Sequence, residues 1–220
     1  MISGDKFCEY LLDYSLFIVY IAVMQKIDTR EQILEAAKAR FGYYGFNKTT
    51  MAEIAKDCDM SAANIYRHFD GKNDIIAVLA KRIFNSQETK LAAVVSQDSP
   101  SYSEKLRNFF LEALLSTHQY ATEQPKIKEM VDFIGHERLD LIQANGKKIE
   151  NLIETILREG VESGEFDIDD ITNTAQAFKK ATVMFHTPLF MNIHSLDELK
   201  LFCRNILNLL IAAIISKNQD

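Results

Sequence analysis

At 220 residues the chain exceeds the usual size of one compact domain and falls short of a comfortable two, so one domain with an appendage, or two packed together, is expected. Its composition, 47% hydrophobic and 25% charged with 8 Gly and 3 Pro, excludes collagen-like, low-complexity and disordered chains, and so few residues suited to chain reversal point to an all-α fold of long helices. The net charge of -6 argues against a protein coated in nucleic acid, yet between Met24 and Lys90 there are 11 Lys and Arg against 9 Asp and Glu, while 13 against 19 follow from Leu91 onward.

The first 23 residues stand apart. Leu11 to Met24 is apolar except for Asp13 and Ser15, too short for a bilayer span of about 20 residues. Acids at Asp5, Glu9 and Asp13 and the absence of a small-x-small cleavage site fit a signal peptide poorly. Two readings stay open for residues 1–23: an extra helix on the body, or an extension upstream of a true start at Met24. Stable membrane insertion is not expected.

From Thr29 the chain is punctuated into helices. Thr29 and Gln32 form a capping box, and Ile33, Ala36, Ala37, Arg40 and Phe41 follow at helical spacing until Gly42 and Gly45 stop the first helix. Thr50 and Glu53 form a second capping box for a short helix through Ile54, Ala55 and Cys58. Ser61 is the N-cap of a third helix over Ala62 to Phe69, after a very short turn at Asp59-Met60. Two short helices across such a turn have helix-turn-helix spacing.

The chemistry of this segment suits DNA. Ala62 and Ala63 allow the backbone to approach a groove floor, Asn64 can pair with a base edge, and Tyr66, Arg67, His68 and Lys72 offer donors to phosphates. The helix N-termini at Thr50 and Ser61 add oriented N–H groups. Ile54, Ala55, Ile65 and Phe69 read as core; Tyr66 and His68 could instead be half-buried packing residues.

The pattern Phe41-x3-Gly45-Phe46-x2-Thr49-Thr50, then Ile54-Ala55, then Ser61 to Phe69 and Lys72, resembles the DNA-binding domain of the TetR family of bacterial transcriptional repressors, over roughly Asp28 to Lys81. The chain departs from the family at Asp59, where Gly is usual in the turn, and at Ala63, where Gly often opens the recognition helix. Asp can adopt the left-handed conformation that the turn requires. The resemblance adds Lys48 and Thr49 to the DNA-contacting set. It implies a helix-turn-helix head over residues 24–75 and a helical effector-binding and dimerisation domain over 76–220.

The second half continues in helices: Lys72 to about Ser96, Ser101 to about Glu123, one from Pro125, Lys147 to Ser163 after a break at Gly146, one opened by Asp167-x-x-Asp170 and running to Thr187-Pro188, and Ser195 to about Lys217. Phe109, Phe110, Phe133, Phe178 and Phe185, with His118, Tyr120 and His186 as isolated polar residues on apolar faces, suit either a solid core or a ligand cavity. The resemblance favours a cavity for a small-molecule effector, lined by Phe109, Phe110, His118, Phe133, Phe178, Phe185 and His186.

In the last helix Leu199, Phe202, Cys203, Ile206, Leu210, Ala213 and Ile214 form one stripe, while Leu201, Leu207, Leu209, Ile211 and Ile215 extend apolar surface around the other side. A buried monomer helix would explain this. The resemblance implies instead a homodimeric four-helix bundle, with Phe202, Ile206, Leu209, Leu210 and Ala213 at the interface.

Cys8, Cys58 and Cys203 lie far apart without a CxxC, which suggests neither a zinc ribbon nor a disulfide framework and fits a reducing cytoplasm. No Walker loop, GxGxxG or GxSxG occurs. His136-Glu137-x-x-Asp140 faintly resembles a zincin helix, but neither it nor His186 with His194 has a convincing third ligand. The expectation is therefore a cytoplasmic, dimeric transcriptional repressor without catalytic residues, metal or cofactor, binding a palindromic double-stranded operator and released by a small molecule. The alternatives are a helical metal-dependent hydrolase using His136, Glu137 and Asp140, and a membrane-associated regulator held by residues 11–24.

Overall fold

The computed structural model describes residues 29–124 and 126–216. The N-terminal segment 1–23 and the expected end of the last helix at Lys217 lie outside the described residues. Among those described the chain is all-helical: α1 (29–44), α2 (Met51–Asp57), α3 (Ala62–Ile65), α4 (Lys72–Ser96), α5 (Tyr102–Glu123), α6 (Ile127–Glu137), α7 (Leu139–Glu162), α8 (Ile171–Ala181) and α9 (Leu196–Ala212), with single 3-10 turns at Val183–Phe185 and Pro188–Phe190.

Side-chain caps set most of the starts. Thr50 and Ser195 complete capping boxes with Glu53 and Glu198, and Ser61, Ser101 and Asp170 accept the N–H groups of Asn64, Glu104 and Asn173. Each cap contributes about 1 kcal/mol by satisfying donors that the helix leaves open.

Some ends differ from the sequence reading. Gly45, at φ 95°, ends α1, but Gly42 lies inside the helix, where a Cβ would run into the Gln124 side chain. Gly146 lies within α7: Lys179 of α8 donates to its carbonyl, and a long helix tolerates the roughly 1 kcal/mol cost of one glycine. The break falls instead at Arg138, whose backbone leaves the helical region (φ -136°, ψ 48°) while its guanidinium grips Asp140 at 2.8 and 2.9 Å. Helix α3 stops at Ile65 and continues as turns, short of the expected Phe69, and α8 ends at Ala181 rather than at Thr187-Pro188.

Two hydrophobic clusters organise the molecule. The first joins Ile33, Leu34, Ala37 and Phe41 of α1 to Ile54, Ala55, Ile65, Phe69, Ile75, Ile76 and Leu79, and it takes in Ile127 and Met130 of α6. The second joins Leu91 of α4 to α5, α7, α8 and α9 through Phe109, Phe110, Leu114, Ile153, Leu157, Phe178, Leu199, Cys203 and Leu207. Helix α4 therefore belongs to both. At the end of the bundle far from the first cluster, Glu165 accepts the N–H groups of Tyr102 and Ser103 at 2.7 and 2.8 Å. There Asp167 and Ser216 bond the carbonyls of Ile214 and Glu165, and Lys105 donates to Val95 at 2.9 Å.

Candidate DNA-binding head and ligand cavity

Helices α2 and α3 pack across a turn whose sharpness comes from Asp59, at φ 54°. This is the left-handed conformation expected of Asp at that place. Ile54, Ala55, Ile65 and Phe69 are buried beneath the pair, so the outer residues of α3 are carried on a rigid base. Arg40 of α1 holds Asp57 at the end of α2, keeping the Arg40 guanidinium charged and the Asp57 carboxyl below its ordinary range.

The outward surface gathers Lys48, Thr50, Ser61, Ala63, Tyr66 and Arg67, all exposed, with Ala62, Asn64 and His68 half-buried. Tyr66 is 54% exposed, which removes the packing reading for that residue. Thr49 differs from the rest: it is buried, and its hydroxyl donates to the Gly45 carbonyl at 2.8 Å, so it shapes the α1–α2 loop from within. Lys72 also differs. Its ammonium, which has three donors, reaches the carbonyls of Phe46, Asn47 and Thr49 at 3.0, 3.4 and 3.2 Å, and it sits 4.5 Å from the Phe46 ring centre.

The head meets the body at α6. Glu129 accepts the Asn47 N–H at 2.8 Å, and Phe133 packs on Phe46 with ring centres 4.8 Å apart. A Cβ on Gly45 would stand 2.6 Å from the Glu129 carboxylate, so glycine is needed there for closeness as well as for conformation.

A cavity of about 980 Å³ lies among α4, α5, α6 and α7 and the end of α8. Of the residues expected from sequence, Phe109, Phe110 and His186 line it. Phe178 and Phe185 are buried in the adjoining core, with Phe178 stacked on Phe110. Phe133 turns to the head, and His118 is half-buried away from the wall. Helical phase explains the sorting: on α5 the wall runs Phe109, Phe110, Ala113, Thr117 and Tyr120, with His118 one step off. The sequence reading left Asn145, Met130 and the charged trio Lys147, Glu150 and Lys179 out of the candidate set, although all line the cavity.

Burial pushes the Tyr120 hydroxyl up to about 12 and the His186 imidazole below its ordinary value, so both are neutral at pH 7. Hydrogen bonds from Lys179 and Lys147 hold the buried Glu150 carboxyl down at about 2.

On α9 the inward stripe is Leu199, Cys203, Leu207 and Ile211, so Leu207 and Ile211 change sides relative to the sequence reading. Phe202, Ile206 and Leu210 are half-buried against the body, whereas Leu209 is 74% exposed and Ala213 is exposed. His136 and Asp140 do not converge on a metal site. The His136 ring contacts the Asp132 carbonyl of its own helix, Asp140 is held by Arg138, and no group of three or more His, Cys, Asp or Glu among the described residues could hold a metal ion.

Residues 33–79 match the family of bacterial regulatory proteins of the tetR type, and residues 103–207 match the tetracyclin repressor-like C-terminal domain. The chain is 28% identical to the HTH-type transcriptional regulator QacR of Staphylococcus aureus over 66% of its length and 77% of that protein. It is 25% identical to the HTH-type transcriptional repressor KstR2 of Rhodococcus jostii over 71% and 77%. The fold matches that of SmeT in its complex with triclosan, with a TM-score of 0.64 and 18% identity over 87% of this chain and 93% of that one. With a helix-turn-helix head, a helical body and both halves matched, the chain belongs to the TetR family of transcriptional regulators.

Proposed function

We propose that this regulator is a homodimeric repressor that holds a palindromic operator through the α2–α3 surface of each head and lets go when a small molecule occupies the cavity of the body. The head spans residues 24–75 and the effector and dimerisation domain 76–220. Members of the family are transcriptional regulators and not enzymes, which removes the hydrolase alternative. No helix among the described residues is long and apolar enough to cross a membrane, and a protein that must reach DNA works in the cytoplasm.

Ile127 and Met130 carry this reading, because they belong to the cavity wall and to the hydrophobic cluster of the head at once. A molecule that displaces them alters the seat of the α1–α2 loop through Glu129 and Phe133. Helix α4, which belongs to both clusters, offers one route for this coupling, and α6 supplies a second. Release follows only to the extent that the ligand favours one arrangement of the heads over the other, and operator must weaken ligand binding by the same factor.

In each head Asn64 and Ala63 face base edges, while Lys48, Thr50, Ser61, Tyr66 and Arg67 face phosphates. Footprinting across the DNA upstream of the regulator's own gene tests the proposal. The expected result is protection of an inverted repeat whose half-sites lie on one face of the duplex, about 10 bp or a multiple apart. Protection without two-fold symmetry, or none at any upstream site, would overturn it.

A further inference from the structure

The cavity also constrains the chemistry of its occupant, provided it is the effector site proposed above. Although the chain as a whole is acidic, six Lys and Arg against three Glu line the cavity. Two of them, Lys147 and Lys179, share the buried carboxylate Glu150 at 2.9 and 2.8 Å. Lys147 also reaches Glu154 at 3.4 Å, and Glu154 lies 4.0 Å from Arg158. Of these five charges Lys147, Lys179 and Glu150 line the cavity, two cations to one carboxylate, while Glu154 and Arg158 lie behind the wall. Lys180, next along α8, and Lys90 of α4 add to the same sign.

The remaining wall is largely apolar, with Leu91, Phe109, Phe110 and Met130 prominent. A cation excess beside low-dielectric surface attracts an anion more strongly than it would in water. Two buried polar atoms on the wall, Tyr120 Oη and Asn145 Oδ1, have no hydrogen-bond partner among the described residues and can orient a hydrogen-bonding occupant.

From this arrangement we infer that the effector is an anionic amphipath, a hydrophobic body with one carboxylate, whose acid group docks at Lys179 and Lys147 in competition with Glu150 and whose body lies along Phe109 and Phe110. A cation would meet more charges of its own sign than of the opposite one. A neutral molecule would leave the excess charge unanswered.

Calorimetric titration of the full chain with dodecanoate, dodecanol and dodecyltrimethylammonium, each below its aggregation concentration, separates the possibilities. Dodecanoate should bind about tenfold or more tighter than dodecanol, and the ammonium more weakly than either. Lys179→Met should weaken dodecanoate by about tenfold and leave dodecanol unchanged. Glu150→Gln should act in the opposite sense, tightening dodecanoate alone, because the lysines lose their internal competitor. A variant that merely damages the fold would weaken both probes together. Dodecanol or the ammonium binding as tightly as dodecanoate would overturn the inference while leaving the cavity reading in place. Failure of all three to bind would remove the cavity reading itself.

Discussion

Lys72 is a residue whose chemistry was legible and whose use was not. A lysine beside a recognition helix reads as a phosphate ligand, yet here its ammonium is spent on three carbonyls of the α1–α2 loop. No sequence spacing announces a contact between residues about 25 positions apart. Lys72→Met should therefore lower the melting temperature, by a few degrees if the bonds are worth about 1–2 kcal/mol. The salt dependence of operator binding should stay the same. An unchanged melting temperature with a salt slope shallower by about 0.9 would return Lys72 to the phosphates. Asp59 is the converse case: the left-handed turn was legible from the residue alone, because few side chains accept that conformation.

Among the elements, α6 has no distinctive motif and carries the most consequence. Its Glu129 holds the loop that precedes α2, while its Met130 faces both the cavity and the core of the head. Glu129→Ala should leave the affinity of the cavity for ligand unchanged while shrinking the factor by which ligand weakens operator binding. Paired titrations with and without operator would show it, and an undiminished factor would place the coupling in α4 alone. Most helix starts were readable because Ser, Thr and Asp caps are local signals: the caps at Thr50, Ser61, Ser101 and Ser195 stand where expected, whereas in Asp167-x-x-Asp170 it is the second Asp, not the first, that caps α8. The division between α6 and α7 was not readable, since Arg138 carries neither Gly nor Pro chemistry and the break is imposed by packing. The head was legible for the same reason as the caps, being built from neighbours in sequence. The cavity was legible only in part, because its wall depends on the relative phase of several helices, and Phe133 falls on the wrong side of α6 while Phe109 and Phe110 fall on the right side of α5.

At the scale of the whole molecule, the proposed homodimer would form on the outer face of α9. Leu209 is largely exposed on a helix whose opposite stripe is buried, and nothing among the described residues covers a leucine there. Leu209→Asp should leave the protomer fold intact and weaken the dimer, since each two-fold copy loses about 1.5–3 kcal/mol of burial. Sedimentation should show monomer at concentrations where the parent chain is dimeric, with operator affinity falling as the two heads lose their linkage. A variant that sediments as the parent does would move the interface off this face.

The bonds at the far end of the body give the molecule a fulcrum. Lys105 ties the end of α4 to the start of α5, and Glu165 pins that same start to the loop against which the end of α9 is fastened. These bonds stiffen one end of the bundle, and the other end carries the head. Helix α4, 25 residues long, is a lever of about 37 Å, so a tilt of roughly 3° about the stiffened end moves its head end by about 2 Å. In the proposed homodimer, two such levers related by a two-fold axis would change the spacing of the heads by up to twice that, against a duplex whose groove repeat is fixed.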